Sequence, residues 1–168
     1  MQDGVDHLNV YSQAETALGR FLSNFANSPF ECEDGRFSSV EGYWYWLGLD
    51  ASEPRREELR TAVGFAAKKL GRELRAPDWQ HGEIFKRKIG AAIRAKIESR
   101  PEMLLALRNN KLPLRHYYVY GGKVVEPKGC EWILDAITAV KFNPKDSGEA
   151  GEREVACQVD SKILFTTL

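Results

Sequence analysis

The segment Arg20–Gly48, "RFLSNFANSPFECEDGRFSSVEGYWYWLG", places many aromatic side chains beside a carboxylate in a short stretch. Within it, Asp34-Gly35 separates two short runs, which is a usual signal for a β-hairpin. The run Val40–Leu47 has no helix breaker except Gly42, and Ser38 and Glu41 have the S-x-x-E spacing of a capping box. The segment therefore predicts a small hairpin that leads into an aromatic helix.

Helical patterns dominate the chain after this segment. "SEPRREELRTAVG" predicts a short charged helix stopped by Gly64, and "FAAKKLGR" predicts helical turns that end at Gly71. Asp78 is the expected cap of the longest helix, which carries an apolar stripe with a spacing of four residues. The stripe consists of Phe85, Ile89, Ile93 and Ile97.

The last helical patterns flank a second hairpin signal. Ser99 and Glu102 repeat the capping-box spacing, "HYYVYGGKVVE" alternates around a Gly-Gly pair, and "CEWILDAITAVKF" has helical periodicity. The predicted fold is mainly α (α+β): one domain over residues 1–142, with about five or six helices and two small β-hairpins. Residues 143–168 are polar at first and are predicted to form a linker and a C-terminal extension.

Composition limits the classes of function. Of the 168 residues, 24 are Lys or Arg and 24 are Asp or Glu, so the basic excess of a protein that binds nucleic acid through phosphate charge is missing. No apolar run is long enough to span a bilayer and the polar start lacks a signal-peptide pattern, so we expect a cytoplasmic protein without a membrane partner. The three cysteines and three histidines are scattered, so no metal is expected.

Glu41 is the carboxylate that most invites a chemical role. The helical period puts it on the same side as Trp44 and Tyr45, where a carboxylate near aromatic rings acquires a raised pKa or stabilises a developing cation. The alternative is that Glu41 only completes the capping box with Ser38. The spacing alone leaves both interpretations open.

Three further features are candidates for ligand binding. The aromatic side chains of the helix cannot all face one way, so some belong to the core, while Trp44 is a candidate to stack on a ring. Ser23-Asn24-Phe25 lies before the hairpin, where hydroxyl and amide groups can bind the edge of a ligand or simply form a turn. Arg72 is suited to a phosphate, but exposed arginines are also common on protein surfaces.

Taken together, these motifs resemble the YbiA-like family, also called NADAR. The resemblance is carried by "LSNFANSPFECEDGRFSSVEGYW", "AAKKLGRELRAPDW" and "KIGAAIRAKIESRPEMLLAL", in the family's order and spacing over residues 20–107. The Glu-Gly-Tyr-Trp form and the "HYYVYGGKVV" hairpin look like a divergent branch that we associate with phage-encoded members. The resemblance implies a mainly helical fold and N-glycosidase chemistry without a cofactor.

The resemblance also implies roles for individual residues. Glu41 corresponds to the family's helix glutamate, and Ser23, Asn24 and Phe25 correspond to its ligand loop. Two positions depart from the family: Gly48 stands where a lysine follows that glutamate, and Gly129 replaces the aspartate of a late Asp-x-x-Trp-Gly motif. Glu131 or Glu126 could take the place of the missing aspartate from a neighbouring position. Lys68, Lys69 or Lys128 could take the place of the missing lysine.

The leading hypothesis is an N-glycosidase that hydrolyses the N-glycosidic bond of a ribose-phosphate or ADP-ribosyl derivative. Characterised relatives act on riboflavin-pathway intermediates or ADP-ribosylated guanine, so a nucleotide is the expected partner, and nucleic acid only as a modified substrate. Glu41 and Glu131 are the predicted catalytic residues; the predicted binding residues are Ser23, Asn24, Phe25, Trp44, Arg72 and Trp132. The alternatives are a catalytically impaired module that sequesters an ADP-ribose-like nucleotide, and a protein or nucleic-acid interaction module that uses exposed aromatics.

Overall fold

The structure, a computed structural model, describes residues 2–74 and 82–142. Within these ranges the chain forms six α-helices, one 3-10 helix and six short strands. The helices are α1 (Ala17–Leu22), α2 (Val40–Gly48), α3 (Gly64–Glu73), α4 (Glu83–Glu98), α5 (Pro101–Asn109) and α6 (Glu131–Phe142), with the 3-10 helix at Arg56–Arg60. The strands are β1 (Leu8–Asn9), β2 (Phe30–Cys32), β3 (Gly35–Phe37), β4 (Leu114–Arg115), β5 (Tyr118–Tyr120) and β6 (Lys123–Val125). This is the predicted single α+β domain.

Helix α4 is the centre of the core. Its Phe85, Ile89, Ile93 and Ile97 are all buried, as the spacing of four residues predicts. It packs against α2, α5, α6 and strand β2. A single hydrophobic cluster joins these elements, so the aromatic helix α2 is held on a rigid support.

In the described part of the chain the strands form three separate pairs. Strands β2 and β3 form the hairpin predicted around Asp34-Gly35, and β5 and β6 form the hairpin predicted around Gly121-Gly122. The third pair is parallel and joins β1 to β4, with Leu8 opposite Leu114. This pairing brings together two segments that are more than a hundred residues apart, and the sequence analysis did not predict it.

The capping box predicted at the start of α2 is wrong by one residue. Ser39, not Ser38, is the N-cap: its hydroxyl accepts from the Gly42 N–H at 3.0 Å and donates to the Ala62 carbonyl at 2.8 Å. The Ser38 N–H donates instead to the Arg60 carbonyl at 2.8 Å. Glu41 is therefore the second helical residue and does not serve as the reciprocal cap.

Several predicted helix ends also differ. Gly64 begins α3 rather than ending the preceding helix, and the charged segment after Pro54 forms only the short 3-10 helix. Gly71 lies inside α3, and α5 has Arg100 at its N-cap without a side-chain bond from Ser99. The predicted cap Asp78 and the extension 143–168 lie outside the described residues. Among those described, no helix is long and apolar enough to cross a bilayer.

Gly42 is required where α2 packs against the 3-10 helix. A Cβ at this position would lie 2.4 Å from the Leu59 carbonyl oxygen and 3.0 Å from that of Ala62. We expect Gly42→Ala to lower the free energy of unfolding by about 2–3 kcal/mol in urea denaturation, because the backbone must move apart. Gly90→Ala is the control: its Cβ would meet only Ala136 at 3.9 Å, so the helix propensity of alanine should stabilise the chain by about 0.5–1 kcal/mol. A stabilised Gly42→Ala variant would contradict this packing.

Candidate active site

A cavity of about 470 Å³ opens between the N-terminal segment, helices α2 and α3, and the start of α6. Its lining residues come from 10–12, 23–25, 41–45, 68–72, 116–118 and 127–134. The wall is aromatic on several sides and also contains a carboxylate and two cationic side chains. The structure thus brings the predicted ligand loop, the aromatic helix and Arg72 to one place, while Glu131 and Trp132 are not part of the wall.

Glu41 lies in the cavity wall with Trp44 and Tyr45, on the side of α2 that the helical period predicts. Burial raises the pKa of its carboxyl to about 7, although Lys68 and Arg72 nearby act in the opposite direction. Within the described residues its carboxylate has no hydrogen-bond partner, and its backbone N–H donates to the Asn24 carbonyl at 3.0 Å. The carboxyl is therefore available to a ligand and populates both protonation states near neutral pH.

The loop Ser23–Phe25 is held from behind by its backbone. The carbonyls of Leu22 and Ser23 each accept a hydrogen bond from Lys96 Nζ at 3.1 Å. The next carbonyl, that of Asn24, accepts from the backbone N–H of Glu41. The Ser23 hydroxyl accepts from the Phe25 N–H at 3.2 Å. Asn24 Oδ1 is buried and has no hydrogen-bond partner among the described residues, so it is an acceptor that lacks a donor.

Lys68 and Arg72 contribute positive charge to the wall. They stand four residues apart on α3, so both project from one face of the helix. Lys68 Nζ lies 5.8 Å from the centre of the Phe25 ring, and neither cation forms an ion pair in the described part of the chain. Of the three lysines named as substitutes for the lysine missing at Gly48, only Lys68 lines the cavity; Lys69 and Lys128 are exposed.

Trp44 and Trp132 occupy different layers. Trp44 lines the cavity, and Trp132 stacks on it with ring centres 5.7 Å apart and planes inclined by 17°. Phe85 meets Trp44 edge-on at 4.8 Å. Tyr43 and Trp46 are buried in the core, so α2 divides its aromatics between core and cavity. Trp132 therefore supports the orientation of Trp44 from behind.

The two glutamates considered as substitutes for the late aspartate lie away from the cavity wall. Glu131 is exposed in the first turn of α6, although its neighbour Cys130 lines the cavity. Glu126 is also exposed and pairs with Arg115. Helix α6 instead contributes Ile133 and Leu134 to the wall, which gives this side of the cavity an apolar surface.

The sequence analysis missed Tyr11, His116 and Tyr118, which also line the cavity. The Tyr11 and Tyr118 rings lie 6.3 Å apart, and His116 Nδ1 lies 2.7 Å from the Val10 carbonyl oxygen. Strands β1 and β4 bring these residues to α2, and no local pattern in the sequence marks that pairing. Among the described residues no cluster of three or more His, Cys, Asp or Glu side chains is placed to hold a metal ion.

Gly71 sets the position of one aromatic wall. A Cβ at this position would lie 2.2 Å from Tyr45 Cγ, so Gly71→Ala must displace the Tyr45 ring. We expect the variant to lose about 1–3 kcal/mol of stability. Urea denaturation, with Gly90→Ala as the control, measures this loss. A Gly71→Ala variant as stable as the wild type would show that the Tyr45 ring does not pack against this position.

Comparison with known proteins supports the fold. No protein-family model matches the chain, and none of the curated proteins is significantly similar to it. Among solved structures, the NMR structure of the E. coli protein YbiA matches with a TM-score of 0.61 and 22% sequence identity, and the match covers 84% of each chain. A likeness at this identity shows the fold alone, so membership of the family and of its phage-type branch stays a prediction. The chain has the YbiA-like fold.

Proposed function

We propose that the protein is an N-glycosidase that hydrolyses the bond between a ribose carbon and a nitrogen in a phosphorylated ribose or ADP-ribosyl derivative. The observation that carries the proposal is Glu41, a carboxyl group without a hydrogen-bond partner among the described residues, in the wall of the aromatic cavity. Its pKa of about 7 suits a group that must give up a proton near neutral pH.

The chemistry of the bond matches the groups in the wall. Cleavage develops positive charge on the sugar ring, and the leaving nitrogen needs a proton. Protonated Glu41 supplies that proton, and the carboxylate that results stabilises the sugar cation in a cavity of low dielectric. Lys68 and Arg72 form a pair of cations suited to phosphate oxygens.

The aromatic and polar groups orient the substrate. Trp44 and Phe25 offer rings on which a base can stack. Asn24 Oδ1 accepts an N–H or O–H of the substrate, which supplies the hydrogen bond that the buried atom lacks. Ser23 shapes the loop that presents this acceptor. The substrate is a small nucleotide, or a modified base that reaches the cavity as part of a nucleic acid.

The direct test is to incubate the protein with ADP-ribosylated guanine nucleotides and, separately, with aminouracil ribose phosphates, and to detect the released base or amine by mass spectrometry. We expect release from one of the two classes, with one oxygen from ¹⁸O-labelled water appearing on the sugar product. The absence of release from both classes, by a folded protein that binds no ADP-ribose in calorimetry, would reject both the enzyme and its binding alternative.

The alternative is a module that binds an ADP-ribose-like nucleotide without turnover. Two departures from the family favour it: glycine stands at positions 48 and 129 in place of the lysine and the aspartate. This alternative predicts tight ADP-ribose binding and a raised melting temperature with no release of base. Arg72→Ala should weaken binding under both proposals, so turnover alone separates them.

A further inference from the structure

The His116 side chain has a defined orientation at the cavity wall. Its Nδ1 lies 2.7 Å from the Val10 carbonyl oxygen, and a carbonyl can only accept a hydrogen bond. Nδ1 therefore carries a hydrogen, and Nε2 has no hydrogen-bond partner among the described residues. Both Val10 and His116 line the cavity that contains Glu41.

The backbone around His116 is held at several points. The Val10 N–H donates to the Arg115 carbonyl at 2.8 Å and is part of the parallel pairing of β1 and β4. The Asn9 side chain donates to the Tyr117 carbonyl and accepts from the Tyr117 N–H, both at 3.1 Å. Asn9 is itself buried. The residues on both sides of His116 are thus fixed to the N-terminal segment, and the Val10 carbonyl that binds Nδ1 belongs to that same segment.

We propose that His116 is the general base of the glycosidase reaction and activates the attacking water through Nε2. This inference rests on the proposed function. Nε2 takes a proton from water, and the water oxygen bonds to the anomeric carbon. The bond from that carbon to nitrogen breaks, its electron pair goes to the nitrogen, and the nitrogen takes the Glu41 proton. Solvent then returns a proton to Glu41 and removes one from His116, so the net reaction consumes one water.

In this mechanism Glu41 is the general acid and His116 is the general base, and the two residues lie on separate elements. The acid comes from α2, and the base comes from the segment between β4 and β5. Among the described residues, the other charged groups of the wall are Lys68 and Arg72, which are suited to bind anions. The remaining titratable groups are Tyr11, Tyr45, Tyr118 and Cys130; burial raises the pKa of the Cys130 thiol, which keeps that group neutral.

The test uses two variants of the full chain. His116→Asn places an amide N–H near the position of Nδ1, so it can keep the bond to the Val10 carbonyl but has no atom in place of Nε2. We expect hydrolysis to fall by about 10²–10⁴-fold with little change in ADP-ribose affinity. His116→Gln tests whether an uncharged group near Nε2 restores activity; we expect that it does not.

A second readout is the tautomer itself. Long-range ¹H–¹⁵N spectra of protein labelled at histidine, with His116→Asn to assign the signal, should show neutral His116 protonated at Nδ1. Protonation at Nε2, or equal rates for wild type and folded His116→Asn, would overturn the role of His116 alone. A wild type that hydrolyses none of the substrates would instead overturn the glycosidase proposal, and His116 as its base with it.

Discussion

Replacing Glu41 with glutamine is expected to reduce base release by at least 10²-fold while making the folded chain more stable above pH 7. The two effects share one cause. Burial in the cavity wall makes the ionised carboxylate unfavourable, and the proposed reaction uses this raised proton affinity to deliver a proton to the leaving nitrogen. Glutamine has similar size but neither a charge nor an acidic proton.

The sign of the stability change follows from proton binding. The folded pKa of Glu41 is about 7, against an ordinary value of 4.5, so between these values the folded chain binds more protons than the unfolded chain. The free energy of unfolding of the wild type therefore falls as the pH rises from 4.5 to 7. The full shift would correspond to about 3 kcal/mol, and partial contact with solvent through the cavity reduces the expected gain of Glu41→Gln to about 1–2 kcal/mol at pH 8.

Urea denaturation of both proteins at pH 5 and pH 8 measures this gain. Glu102→Gln is a matched control, because Glu102 is the second residue of α5 just as Glu41 is the second residue of α2, but it is exposed. The control should keep full activity and show no gain that grows with pH. If Glu41→Gln retained wild-type turnover, or lost stability at pH 8, Glu41 would not be the buried acid of the site.

The local parts of this fold could be predicted from the sequence because their signals are local. The turn at Asp34-Gly35 and the spacing of Phe85, Ile89, Ile93 and Ile97 depend on neighbouring residues alone. The predicted helix ends were wrong where contacts with distant residues decide where a helix begins or ends. Ser38 and Ser39 are equally good caps by type, and the carbonyl of Ala62 selects Ser39. Gly71 suggests a helix end, but α3 continues past it, and a glycine is required at this position because the Tyr45 ring occupies the space of a Cβ.

The residues of the candidate site also divide into those that a local pattern predicts and those that only long-range packing brings in. Glu41 and Trp44 share a face of α2, so a helical period was sufficient to place them together. His116 reaches the same cavity only because β1 pairs with β4 across the whole domain, and each strand has two residues. Strands of that length have no detectable period. Glu131 was named for its nearness to the Trp132 motif, yet the direction of α6 turns its side chain to solvent.

Lys96 is a second buried titratable residue, and it lies behind the ligand loop of the candidate site. It is fully buried, and its Nζ binds the carbonyls of Leu22 and Ser23 at 3.1 Å. Leu22 is the last residue of α1, where helical carbonyls lack partners within the helix. Lys96 thus closes the end of α1 and fixes the start of the ligand loop, and burial lowers the pKa of its amine to about 7.

A neutral amine suits this place better than an ammonium group. It has two N–H donors for the two carbonyls, whereas the charged form must also be removed from water. Between pH 7 and 10.5 the unfolded chain binds more protons at Lys96 than the folded chain, so this residue makes the wild type more stable as the pH rises through that window. Below pH 7 the amine is protonated in both states, and the cost of burying the charge is fully present.

Lys96→Met removes the two hydrogen bonds to the carbonyls of Leu22 and Ser23, and it also removes the amine that titrates. We expect the stability of the wild type relative to Lys96→Met to grow by about 2–4 kcal/mol between pH 6 and pH 10, less than the full shift would give because some water reaches buried amines. Urea denaturation at several pH values measures this difference, and other groups that titrate cancel between the two proteins. Lys69→Met, on the exposed side of α3, is the control and should show a constant difference. A difference for Lys96→Met that is equally independent of pH would mean that the amine does not lose its proton in the fold, and that the ligand loop is held by an ammonium group.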